Sequence, residues 1–220
     1  MLDVCAAIDG AAVAGFQFAL EPTRGDGRHW TLQVTHPHLG QPDVAASVEF
    51  ARHPSVLAPE VLGFVAAPVH RGYEIELPEL PVIAEAEACA EKLARYRRVA
   101  LGRDVYDLAQ FADQPIDEPV VRRLWVLKVW GDVVDDGRGA KPLDPANVLT
   151  ARSEGEFEPE SIGKLTRPVD LAAWERRART RSGLLSDLDA DELRWCACDP
   201  RHRREVEQAI DVLGQNHPAA

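Results

Sequence analysis

The run "EKLARYRRVALGRDVYDLAQF" (residues 91–111) gathers Lys92, four arginines, two tyrosines and the carboxylates Asp104 and Asp107 around one glycine. Lys92, Arg95 and Tyr96 stand three to four residues apart, which puts them on one flank of a helix. Arg103, Asp104 and Asp107 follow Gly102. Two chemistries are open to this set. In one, Asp104 caps a new helix, Asp107 favours its N-terminus, and the arginines are solvated. In the other, the cations hold phosphates while an aspartate positions a hydroxyl, a base or a metal-bound water. The chain as a whole is acidic, with 36 Asp and Glu against 25 Lys and Arg, a formal net charge of −11. That argues against a broad nucleic-acid-binding face but leaves room for a local basic patch.

Elements that could position these residues follow from periodicity. Residues 9–20, "DGAAVAGFQFAL", read as a short helix. "HWTLQVT" (29–35) alternates like a half-buried strand, with further strands at 44–51 and 72–78. "HPHLGQPD" has the length and residues of a hairpin loop. After Pro81 the pattern turns helical. "IAEAEACAEKLARYRRVA" is amphipathic, Gly102 ends it, and Asp104 caps "DVYDLAQFA". Helices follow in "EPVVRRLWVLKVWGDVV", "VDLAAWERRARTRS" and "PRHRREVEQAIDVL". The expected fold is α/β: a small antiparallel or mixed sheet with helices, then a helical C-terminal region.

Other polar groups are weaker candidates. Asp187, Asp189 and Asp191 sit before a helix, where capping outweighs metal binding. His36 and His38 lack further ligands for zinc. Cys5, Cys89, Cys196 and Cys198 form no disulfide framework in a chain this long, and point to a reducing cytoplasm. Lys128 lies in an apolar helix, either snorkelling or serving as a second phosphate ligand. Trp125 and Trp130 read as core. No apolar run is long enough to span a bilayer.

The stretch "AEACAEKLARYRR…GRDVYDLAQF" resembles the Glu-Lys-Leu … Arg-Asp-x-Tyr-Asp-Leu signature of the AbiEii/AbiGii-type toxin nucleotidyltransferases, which include the MenT toxins. "ESIGKLTRPVDLAAWERRA" and "DPRHRREVEQAI" look like the C-terminal helices of that family. The resemblance implies a nucleotidyltransferase-fold enzyme that uses Mg²⁺ and an NTP and is paired with a separate antitoxin. MenT-type members transfer nucleotides to tRNA 3′ ends. Carried over by position, Lys92 binds triphosphate with Arg103 and Arg95, and Asp107 is the catalytic-site aspartate. Arg103 and Asp104 support that corner. On this reading residues 1–115 form the nucleotidyltransferase-like domain and 116–220 a helical region.

One departure stands out. The family fold opens with Gly-Gly/Ser on a helix and an Asp-x-Asp on a strand, where alternation aims both carboxylates at two metal ions. Neither motif occurs in the N-terminal third. "MLDVC" would complete the second if an aspartate stood at its first position. Asp3 is therefore the candidate surviving metal ligand, with sequence upstream of Met1 expected to supply the other. Glu49, projecting from an apolar strand, is the candidate third carboxylate, catalytic and metal-binding. Two other readings stay open: a degenerate family member that binds a nucleotide or partner without catalysis, and an acidic protein-binding module.

Overall fold

The computed structural model describes residues 2–13, 15–23, 25, 27–38, 44–51, 53–72, 76–99, 101–139, 143–157 and 170–217. The chain divides into two compact units, residues 1–54 and 55–220. The boundary expected after residue 115 falls inside the second unit, where the helices on either side of it share one core.

The first unit opens with helix α1 (Leu2–Ile8). The Asp-x-Asp strand expected around "MLDVC" is thus a helix instead, in keeping with its Leu and Ala content. Four antiparallel strands follow in the order β1-β2-β3-β4: β1 (Ala12–Val13), β2 (Phe16–Pro22), β3 (His29–Thr35) and β4 (Val44–Glu49). The helix expected over residues 9–20 is a hairpin. Val13 faces Phe16 across a two-residue link, and Gly15 takes φ +86°, with a Cβ there falling 2.8 Å from His36 Nε2. Only glycine meets both demands. The Phe16, Phe18, Leu20 alternation then runs along β2, with Leu20 opposite Leu32. Asp9 fixes the entry by accepting a hydrogen bond from Leu20 N at 3.1 Å.

The second unit begins with a two-stranded ribbon, β5 (Glu60–Gly63) and β6 (Glu79–Val82), joined through helix α2 (Pro68–Gly72). Gly72 therefore ends a helix rather than starting a strand, and residues 73–75 of the expected strand lie outside the described residues. Pro81 is tolerated in β6 because a two-stranded ribbon has free edges. Then come α3 (Glu85–Tyr96), α4 (Gly102–Phe111), α5 (Glu118–Val134), α6 (Ala146–Leu149), α7 (Leu171–Arg181), α8 (Ala190–Trp195) and α9 (Arg203–Asn216). α5 is the centre. Asp117 caps it by accepting from Val120 N at 3.1 Å, and Pro119 sits in its first turn, where a missing N–H costs nothing. It is buried on most of its faces, with Val121, Leu124, Trp125 and Val129 fully enclosed. Trp125 and Trp130 are core, as expected. A mixed α/β fold with small antiparallel sheets and many helices is what the sequence implied.

Three buried ties hold α3 in register. Glu87 is fully enclosed and accepts from Val56 N (2.9 Å), Leu57 N (2.8 Å) and Lys128 Nζ (2.7 Å). Lys128 also reaches Glu91 at 2.9 Å, so it joins α5 to α3 and is engaged by acids rather than snorkelling. The C-terminal end is closed by Arg152, which donates to Tyr96 O at 2.6 Å and lies over the Tyr96 ring at 4.3 Å. That guanidinium satisfies carbonyls the helix end would otherwise orphan. It also explains why α3 stops at Tyr96 rather than at Gly102, which is instead the first residue of α4.

Candidate active site at the α3 and α4 junction

Residues 97–99 turn the chain so that the start of α4 faces the last turns of α3. Lys92 and Arg95 project from α3 at adjacent turns, and Asp104 and Asp107 from α4 at the same spacing. Asp104 has no exposed surface. Arg95 grips it with two donors, Nε at 2.7 Å and a second guanidinium nitrogen. Lys92 Nζ donates to Asp104 Oδ1 at 3.2 Å and forms an ion pair with Asp107 Oδ2 at 2.6 Å. The ammonium therefore bridges the two carboxylates.

This geometry corrects the capping assignment of Asp104. The N-cap of α4 is Leu101, which makes no side-chain cap bond; Asp104 lies in the first turn with its oxygens committed to Arg95 and Lys92. A fully buried carboxylate needs such partners, because an unpaired one carries a desolvation cost of several kcal/mol. Two cations offset that burial, and the bidentate Arg95 fork fixes its geometry.

Asp107 is different. Its side chain keeps 38% of its surface and that of Lys92 27%. Among the described residues Lys92 is the one partner of its carboxylate. Lys92 has three ammonium donors, of which two are used. The pair thus leaves ammonium donor capacity and an under-coordinated carboxylate side by side and partly exposed. An ammonium in that state binds a phosphate oxygen; a carboxylate beside it accepts a hydroxyl proton.

The other expected residues fall elsewhere. Arg103 is exposed and makes no ion pair among the described residues. Arg98, one step beyond the cluster, pairs with Asp132 at 3.2 Å; burial nonetheless pushes the Asp132 carboxyl above its ordinary range. Glu49 and Asp3 belong to the first unit. Glu49 ends β4, directly across from His29, and its carboxylate lies 3.2 Å from His29 Nε2 with 66% of its side chain exposed. Asp3 is on α1, and its side chain lies outside what the structure describes. Among the described residues no group of three or more His, Cys, Asp or Glu side chains converges to hold a metal. The acids that do converge at the junction, Asp104 and Asp107, are both held by Lys92, so the described residues do not make a two-metal set.

Asp187, Asp189 and Asp191 behave as expected before a helix: Asp189 and Glu192 form a reciprocal capping box at the start of α8. The four cysteines are buried and form no disulfide with one another, and burial pushes the Cys89 and Cys196 thiols up to about 12. Such thiols are inert. The sequence offered no sign of the Arg95 fork or of Glu87. Both depend on partners 9 and 30 or more residues away.

Comparison with known proteins finds relatives of the chain as a whole. A family model described as "Nucleotidyl transferase AbiEii toxin, Type IV TA system" matches residues 3–210. Among solved structures, the chain is similar to MenT4, a nucleotidyltransferase toxin from Mycobacterium tuberculosis H37Rv. The two share 65% identity with a TM-score of 0.88, over 97% of this chain and 73% of that one. No curated protein matches.

Proposed function

We propose that this chain, which belongs to the AbiEii nucleotidyl transferase toxin family of type IV toxin–antitoxin systems, transfers the nucleotidyl group of an NTP to the 3′ hydroxyl of a tRNA. Nucleotidyl transfer, an NTP substrate and a separate antitoxin come with the family. The tRNA acceptor and the residue roles below are our reading. Membership also removes the alternative in which the helices merely resemble the family.

The observation that carries the reading is the accessible Lys92–Asp107 pair, 2.6 Å apart and braced from behind by the buried Asp104–Arg95 fork. The acceptor oxygen attacks the α-phosphorus. A new P–O bond forms, the bond to the β-phosphate bridge breaks, and pyrophosphate leaves. Lys92 donates its remaining N–H to the triphosphate and offsets the charge that accumulates on the departing group. Asp107 accepts the hydroxyl proton. Asp104 and Arg95 act on Lys92 and so are positioning residues. Arg103, exposed on the first turn of α4, is a second triphosphate ligand. The family typically employs a divalent metal, which would offset phosphate charge, and Mg²⁺ is the ion we expect. No step above depends on it. Glu49 and Asp3 remain proposed ligands of the first unit.

No helix among the described residues is long and apolar enough to cross a membrane. The NTP and tRNA substrates of this reading favour the cytoplasm. The test is incorporation of α-labelled NTPs into total tRNA with Mg²⁺ present, using wild type and Asp107→Asn. Label at tRNA 3′ ends that depends on Asp107 supports the reading. Label in protein alone, or equal incorporation by the variant, overturns it.

A further inference from the structure

An acidic chain must still admit a polyanion. Helix α7, "LAAWERRARTR", holds four arginines and a single acid, Glu175, which is buried. On a chain of net charge −11 this is a local reversal of sign. α7 packs along α4, the helix that carries Asp107. Beyond the end of α4, an open groove of about 520 Å³ is lined by Asp113, Glu118, Arg176, Arg177, Thr180 and Arg181, among others.

The partners along α7 fall in series. Trp174 meets Tyr106 edge to face at 5.0 Å; Arg177 pairs with Asp113; Arg181 pairs with Glu118. Tyr106 stands beside Asp107 on α4, and Asp113 follows in the turn just after that helix ends. An aromatic pair beside the reacting carboxylate thus leads to a lane of guanidinium groups. The lane has donors to spare. Arg176 is exposed and without an ion-pair partner among the described residues. Arg181 keeps a buried Nε–H with no acceptor.

We infer that this groove, between the turn after α4, the start of α5 and the face of α7, holds the phosphodiester backbone of the tRNA acceptor strand and so points its 3′ end toward Asp107. The inference rests on the tRNA reading above. Small-molecule sites are enclosed and concave, whereas this groove is open, with three arginines and two acids along its rim. A backbone suits it: phosphates recur along a strand and match guanidinium forks, and an exposed tyrosine offers a stacking surface for a terminal base. Asp113 and Glu118 occupy Arg177 and Arg181 in the free protein. An incoming phosphate displaces them, which favours exchange over permanent binding.

The test is binding of fluorescent total tRNA to the full chain over a salt series, with NTP binding measured by calorimetry on the same samples. Arg176→Glu should weaken tRNA binding about tenfold or more, and Arg177→Gln by several-fold. The slope of log K against log salt should fall by about one for each phosphate-binding arginine removed. NTP affinity should stay within about twofold. Variants that bind tRNA like wild type, with the wild-type slope, overturn the groove and leave the transfer reading standing. Wild type that binds NTP but no tRNA overturns the groove together with the tRNA acceptor. Variants that keep tRNA but escape the antitoxin assign the groove to a protein partner and likewise overturn the proposal.

Discussion

Two places in the second unit use the same four-part device. At the α3–α4 junction, the buried acid Asp104 is held by Arg95 and Lys92, and Lys92 also holds the half-exposed Asp107. Where α5 meets α8, the buried acid Glu192 is held by Arg122 (2.8 Å) and Arg123 (3.4 Å), and Arg123 also holds the half-exposed Asp189. Exposure matches closely: 0% for both buried acids, 38% for Asp107 and 39% for Asp189. The outer acid separates them. Asp189 accepts from Asp191 N and Glu192 N, both at 2.9 Å, as well as from Arg123. Its oxygens are spent on starting a helix. Asp107 has Lys92 alone among the described residues. Burying a charge between cations is scaffolding in both places, and the proposed chemistry is assigned to the one where a bonding valence is left over.

The largest effect tests what the two share. Asp104→Ala and Glu192→Ala should each cost about 3–5 kcal/mol, because each leaves two cations without the buried acid they enclose. Urea unfolding measures it, and a loss below about 1 kcal/mol at either position would show that its cage is dispensable. What divides the two places is next. Asp107→Asn should cut nucleotide transfer by about 10²-fold, or about 2.7 kcal/mol, with little change in melting temperature. Asp189→Asn should leave transfer within about twofold. Similar losses of transfer in both would erase the difference between the two places.

Lys92→Ala should weaken NTP binding by about 1.5–3 kcal/mol, the scale of a charge-assisted hydrogen bond. Arg123→Ala, its counterpart at the scaffold, should not change it. Calorimetry decides, and equal affinities for Lys92→Ala and wild type would remove the triphosphate from this site. The smallest effect is a pH dependence. At Asp189 burial works to raise the carboxyl, but the Glu192 amide and Arg123 outweigh it and hold it below the ordinary value of 3.8. A depressed folded pKa gives stability that is present above the unfolded value and lost as pH falls through the folded one. Melting temperature should therefore drop below about pH 4 more steeply in wild type than in Asp189→Asn, which caps without titrating. Parallel curves would argue against a depressed carboxyl.

Much of this was legible in the sequence where the signal is local. β3 and α5 carry their own alternation, cap and proline, and both were read at their observed limits. Lys92 and Asp107 were proposed on the family signature, because helical spacing alone also fitted capping and solvated charges. Residues 9–20 misled because their alanines suit a helix, while the deciding facts, the positive φ of Gly15 and its closeness to His36, belong to the folded sheet. Asp104 misled for a related reason. A cap and a buried brace look alike in sequence until the first residue of α4 and the reach of Arg95 are known. The short ribbon strand β5 has too few residues to show a period at all.

Arg152 closes the end of α3 from 56 residues downstream. A ribosome adding roughly 5–20 residues each second needs about 3–11 s to travel from Tyr96 to Arg152. During that interval the helix bearing Lys92 lacks its final lock, and Glu192, farther still along the chain, has not been made. The residues we propose to handle nucleotide are thus synthesised before the guanidinium that closes their helix. A truncated or stalled copy carries Lys92 and Asp107 without the frame that holds them, which limits the harm an unfinished chain can do to the machinery still making it.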